Sequence, residues 1–109
     1  MKLRRVANES GTEILYLFWC PGCKETHPYT TATQTGGKPS WGFNGNMEKP
    51  SFTPSLLCWP SRTELRCHLY VTDGRIQYLG DCHHALAGQT IDLPEIPAES
   101  GWADEPAPA

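Results

Sequence analysis

A Cys-Pro-Gly-Cys turn, Cys20 to Cys23, closes the apolar run Ile14-Leu15-Tyr16-Leu17-Phe18-Trp19. Two thiols around a Pro-Gly corner form half of a zinc knuckle. The turn aims both sulfurs at one point, and its small residues let backbone N–H groups approach the thiolates. Zinc takes four ligands in a tetrahedron, so the chain has to return to this turn with further donors. The candidates come much later, in Cys67-His68 and in Cys82-His83-His84. With His27 just past the turn, these clusters hold all four histidines and four of the five cysteines. A fold for this chain is therefore expected to bring residues 20–23, 67–68 and 82–84 together.

A chain of 109 residues is expected to form one domain with a modest core. A metal is a common supplement at that size. Ten glycines and ten prolines exceed the usual share of about 12%, which argues for many turns and against long helices. The formal charge is −3, and no basic block stands out, so nucleic acid is disfavoured as a partner. No apolar stretch is long enough to cross a bilayer, and no apolar segment follows the basic N-terminal residues as in a signal peptide. The expected compartment is the cytoplasm. There thiols stay reduced, and a C-x-x-C pair points to metal or redox chemistry rather than a structural disulfide.

Glu13 to Trp19 reads as a strand covered on both faces, since it is aromatic and β-branched with little polar alternation. His27 to Thr35 reads as the strand leaving the knuckle. Asn44-Gly45 marks a tight turn. Pro50, Pro54 and Pro60 reduce Ser51 to Trp59 to a short or edge strand at best. The clearest hairpin has arms Glu64–Thr72 and Arg75–Leu79 around Asp73-Gly74. In its first arm Leu65, Cys67, Leu69 and Val71 share one face, and His68 and Tyr70 share the other. Thr90 to Leu93 is a last short strand. Residues 1–94 are thus expected to be the domain, and 95–109 a disordered tail of Pro, Ala and acid.

The knuckle could instead be a thioredoxin-like redox pair. That chemistry needs a helix behind the motif to lower the first thiol's pKa, and Lys24-Glu25-Thr26-His27-Pro28 is too short to supply one. The remaining two ligands are open on residue pattern alone. Cys67 lies on the apolar face of its arm, whereas His68 lies on the polar face. Cys82 and His84 are two apart and share a direction in extended chain. A sharper alternative gathers His27, His68 and His84 around a catalytic metal with an open position. Glu25, Glu48 or Asp81 would then serve as base or supporting partner. Neither an HExxH helix nor a GxSxG elbow is present to support it. The aromatics Trp41, Phe43, Phe52 and Trp59 read as core more readily than as a ligand platform.

The order CPGCxxxH, WGFNGNMEKPSFTPSLL, CHLYVTDGRIQYLGDCHHALAGQTIDLP resembles a family of small phage and bacterial proteins. Some of its members carry the name ammonia monooxygenase, which does not fit a small chain because that enzyme is a large membrane complex. The likeness spans residues 14–94. The family is carried on prophages and also stands beside bacterial ubiquitin-like conjugation genes. Its pattern implies His84 rather than Cys82 as a ligand. The expected protein is a small, mostly β fold with little helix. Its zinc is held by Cys20, Cys23, His68 and His84, with Cys67 and Cys82 in reserve. The expected function is a phage accessory protein that binds a host or phage protein. The alternative is a metal-dependent, peptidase-like hydrolase linked to ubiquitin-like modifiers.

Overall fold

A computed structural model describes residues 1–32, 40–59 and 66–98. Eight strands form two antiparallel sheets. The first sheet holds β1 (Arg4–Ala7), β2 (Ile14–Cys20) and β3 (Glu25–Ala32) in chain order. The second holds β4 (Gly42–Phe43), β5 (Phe52–Cys58), β6 (Cys67–Thr72), β7 (Arg75–Tyr78) and β8 (Thr90–Asp92), again in chain order. Tight turns join β2 to β3 at residues 21–24 and β6 to β7 at residues 73–74, as the frequent Gly and Pro lead one to expect. No α-helix occurs among the described residues. None of their helices, accordingly, is long and apolar enough to cross a membrane.

The strand expected to be covered on both faces is β2. Leu17 and Phe18 point to opposite sides and both are buried. The hairpin of β6 and β7 turns at Asp73 and Gly74, both at positive φ, the conformation that a two-residue hairpin loop requires. Cys67, Leu69 and Val71 point into the core, while His68, Tyr70 and Thr72 point outward. Ile76 and Tyr78 of β7 complete the buried face.

β5 departs from the expectation of a short or edge strand. It runs seven residues and lies between β4 and β6. The proline is accommodated by a register shift between Phe52 and Leu56, where the strand bulges and ladder bonding is interrupted. The bulge takes residues 53–55 out of register with β6, while Thr53 still pairs with Gly42 of β4, and this has consequences for the site below. The expected tail lies outside the described residues from position 99 onward. Its first part is tied down, since Ile96 is buried and its N–H donates to Met1 O at 2.9 Å.

Aromatic stacking joins the two sheets. Phe52 of β5 stacks on Tyr29 of β3 with ring centres 4.1 Å apart and on Phe43 of β4 at 4.6 Å. Trp41 meets Tyr29 edge-on. Three of the four aromatics weighed above, Trp41, Phe43 and Phe52, thus pack in or against the core, whereas Trp59 is exposed. Replacing Phe52 with Ala should lower unfolding free energy by about 3–5 kcal/mol. Leu57→Ala on the exposed face should change it by at most about 0.5 kcal/mol. Urea denaturation of the two variants measures the difference, and equal losses would mean that the stack does not join the sheets.

Candidate functional site

The knuckle forms where β2 ends. Lys24 N–H donates to Cys20 O at 2.7 Å, and Lys24 takes a positive φ of 57° to close the turn into β3. Cys23 N–H points at Cys20 Sγ, 3.4 Å away. The turn thus places both sulfurs on one side and begins to solvate the first of them.

Two other segments reach this point. Cys67, at the start of β6, faces inward with its Sγ 3.9 Å from Cys20 Sγ. His84, in the loop after β7, brings Nε2 to 3.4 Å from Cys67 Sγ. Donor atoms of Cys20, Cys23, Cys67 and His84 all lie within 4.8 Å of one another. A tetrahedral zinc with its usual bond lengths needs sulfur–sulfur edges of about 3.8 Å and sulfur–nitrogen edges of about 3.5 Å. The separations of 3.9 Å and 3.4 Å fit those figures, and three sulfurs with one imidazole are a donor set that zinc prefers. Gly22 makes the approach possible. A Cβ there would sit 2.5 Å from His84 Nδ1 and Nε2, inside the ring's own volume.

Electrostatics also point to a cation. The hydrogen bond from Cys67 is the largest influence on Cys20 and lowers it to about 3, with His27 and Tyr78 adding to the effect against burial. Tyr78 Oη lies 3.1 Å from that sulfur. Burial pushes Cys23 up to about 12, and the charge on Cys20 adds to it. The same hydrogen bond to Cys20 holds Cys67 far above the usual thiol range. Burial lowers His84, which keeps its imidazole neutral and fit to bind a metal. One charge is thus tolerated among three buried or half-buried sulfurs, and a divalent ion would take the place of the remaining protons.

Two of the expected ligands, Cys20 and Cys23, and a third, His84, belong to this group. The fourth member is Cys67, held in reserve above, and not His68. Strand alternation is the reason: adjacent residues of β6 face opposite sides of the sheet. Cys82, the other reserve, is not in the group. Its thiol clamps His68, accepting from His68 N–H at 3.2 Å and donating to His68 O at 3.0 Å. His27 is buried, edge-on to Phe18 and outside the four. Burial works against its charge, yet hydrogen bonding and charge at Cys20 and Cys58 raise it to about 10. His83 is exposed and bonds Arg66 O through both its N–H and Nδ1.

On the outer face His68 meets different partners. Its Nε2 lies 3.1 Å from Ser55 Oγ. Its Nδ1 lies 3.3 Å from Asp81 Oδ2. Ser55 stands in the bulge of β5, where Trp41 Nε1–H donates to its carbonyl at 3.2 Å. Asp81 is carried by the same loop that carries His84. That loop is stitched to β6, with Leu79 N–H on His68 O at 2.9 Å and His83 N–H on Arg66 O at 3.2 Å. Arg66 also reaches Asp81 Oδ2 at 3.7 Å. A hydroxyl on one imidazole nitrogen and a carboxylate on the other is the geometry of an activated serine nucleophile. Asp81 was named from sequence only as a partner for metal chemistry, and Ser55 was not singled out. The alternation of β6 was the available signal, because it sets His68 on the face opposite Cys67.

A family model described as "Bacterial ubiquitination-like system serine protease (BubE)" matches residues 2–79, well over half of the chain. Ser55 and His68 fall inside the matched span, and Asp81 lies just beyond it. No curated protein matches the chain, nor does any solved structure.

Two outcomes are expected of the cysteine–histidine group. Protein purified without a metal-affinity tag should hold about one zinc per chain, by elemental analysis. Gly22→Ala and Cys67→Ser should lose it, whereas Cys58→Ser should keep it. Folded, metal-free wild-type protein would overturn the assignment. The second outcome concerns protons. At pH 7.5 Cys20 is already a thiolate and His84 neutral, while Cys23 and Cys67 are protonated. Zinc binding should therefore release about two protons and weaken as pH falls. Calorimetry in buffers of differing ionisation enthalpy counts them.

Proposed function

The chain belongs to the family of bacterial ubiquitination-like system serine proteases (BubE), and from that premise we propose that Ser55, His68 and Asp81 are the catalytic triad of a serine hydrolase. Its substrate is an acyl bond at the carboxyl end of a ubiquitin-like modifier, either to a trailing peptide or to a conjugated protein. The observation that carries the reading is the pair of contacts made by the His68 ring, 3.1 Å to Ser55 Oγ and 3.3 Å to Asp81 Oδ2. The protein partner expected from the sequence is, on this reading, the substrate.

The chemistry follows from those contacts. Asp81 accepts from Nδ1–H and so fixes the tautomer that leaves Nε2 free to accept. Ser55 Oγ attacks the scissile carbonyl as its proton passes to Nε2, forming the O–C bond of a tetrahedral intermediate. The intermediate collapses, the bond to the leaving group breaks, and Nε2–H returns the proton to that group. Water then repeats the attack on the acyl-serine, with His68 again taking and returning the proton, and the free carboxylate leaves.

The metal has a separate task. Four protein donors fill a tetrahedron and leave no open position for a substrate or a water. A zinc held by Cys20, Cys23, Cys67 and His84 would supply cross-linking of the fold rather than Lewis acidity. Cys67 and His68 are adjacent on β6, and His84 and Asp81 share the loop after β7. Fixing the first of each pair on the inner face orients the second on the outer face.

A fluorophosphonate probe tests the nucleophile. It should add to Ser55, as located by mass spectrometry of digested protein. Ser55→Ala should abolish the adduct and cut kcat for modifier cleavage by about a thousandfold or more, with Tm and zinc content unchanged. Cleavage that persists in Ser55→Ala would remove the triad reading.

A further inference from the structure

The triad lies on an open sheet face, with Arg66 beside Asp81 and apolar side chains beside His68. Among the described residues five large apolar side chains are exposed: Met1, Met47, Leu57, Trp59 and Tyr70. Two of them border His68. Leu57 of β5 is its direct cross-strand partner, and Tyr70 is the next residue of β6 on the same face. They are 49% and 38% exposed. Cross-strand neighbours have Cβ atoms about 4.5–5.5 Å apart, and aromatic side chains reach the diagonal positions as well. Trp59, 60% exposed, follows Leu57 at the next alternate position, just past the end of β5.

Neither Leu57 nor Tyr70 is needed by the fold. Their inward neighbours Leu56, Leu69 and Val71 make the core, and alternation leaves the outer positions free to be polar. Thr72, Arg75 and Gln77 on the same face are polar and exposed. The apolar pair is therefore confined to the strip around the reactive groups. A bond under attack must lie over Ser55 Oγ within reach of His68 Nε2. Substrate side chains beside that bond then fall on Leu57 and Tyr70.

Resting on the serine hydrolase reading, we propose that Leu57 and Tyr70 are specificity-determining residues. They form a shelf that selects an apolar side chain next to the scissile carbonyl of an extended substrate segment. Burial of that side chain on the shelf holds the carbonyl over Ser55. A polar side chain in its place would lose the burial and leave two apolar surfaces facing water.

The test uses full-length, zinc-loaded protein and p-nitrophenyl esters of N-acetyl-leucine, N-acetyl-phenylalanine, N-acetyl-serine and N-acetyl-aspartate. p-Nitrophenyl acetate, which has no side chain, is the reference. Wild-type protein should prefer the leucine and phenylalanine esters over the serine and aspartate esters by about 10–100-fold in kcat/KM. Leu57→Ser and Tyr70→Ser should each reduce that ratio, mainly through KM, and the double variant should bring it near one. Acetate hydrolysis and fluorophosphonate labelling of Ser55 should stay at wild-type levels in all three. A wild-type enzyme without the preference would overturn the proposal. So would a double variant that keeps it while still labelling at Ser55, and in both cases the triad stands. Absence of labelling and of acetate hydrolysis in the wild-type protein would instead remove the triad and the shelf together.

Discussion

Three sulfurs and an imidazole with donor atoms within 4.8 Å of one another are a poor core unless something positive sits among them. Dispersion between sulfur atoms is ordinary, but charge is not. Cys20 is held as a thiolate while its neighbours Cys23 and Cys67 are pushed the other way. A divalent cation would remove this frustration and would tie three distant segments at once: the β2–β3 turn, the start of β6 and the loop after β7. Otherwise the two sheets meet mainly through the aromatic stack at Tyr29 and Phe52. The cysteine–histidine group joins the same two sheets where Tyr78 Oη of β7 meets Cys20 Sγ of β2.

Strand alternation converts this clamp into a positioning device. β6 begins with one residue for each face, Cys67 inward and His68 outward. The loop after β7 carries His84 to the cysteines and Asp81 to His68. Between them Cys82 grips the His68 backbone from both its N–H and its carbonyl side. The His68–Asp81 contact is therefore set by backbone hydrogen bonds and thiol contacts more than by its own attraction. That attraction is modest: Asp81 is 41% exposed and shares Oδ2 with Arg66, and exposed pairs contribute little.

The sequence made the knuckle legible because C-x-x-C is a local signal with one dominant chemical meaning. The β6–β7 hairpin was legible for the same reason: Asp73-Gly74 and the alternation of Cys67, Leu69 and Val71 are short-range patterns. The Ser–His–Asp group was not. Ser55 and His68 are 13 residues apart, as are His68 and Asp81; the pairing of β5 with β6 brings the first two together, and the loop after β7, bonded back to β6, brings the third. Pro54 pointed away from a central strand, whereas here it marks the bulge that presents the neighbouring serine. His68 attracted attention as a ligand because it stands beside Cys67 in sequence. Alternation makes adjacent strand residues poor partners for a single metal, and it separates this pair onto opposite faces.

An outer-face triad raises the question of where its dry environment comes from. The His68 side chain is 25% exposed and that of Asp81 41%, so in the free protein water competes for both contacts and screens the charge that would develop on the imidazole. Enzymes with deep clefts exclude water with their own walls. Here the apolar rim of Leu57 and Tyr70 can do so only when something covers it. A folded protein substrate laid across the sheet would bury the rim, strip water from His68 and Asp81, and strengthen their hydrogen bond in the lower local dielectric. A short soluble peptide would not. On the serine hydrolase reading proposed above, the open face favours a partner large enough to cover it, while small esters react at its uncovered rate.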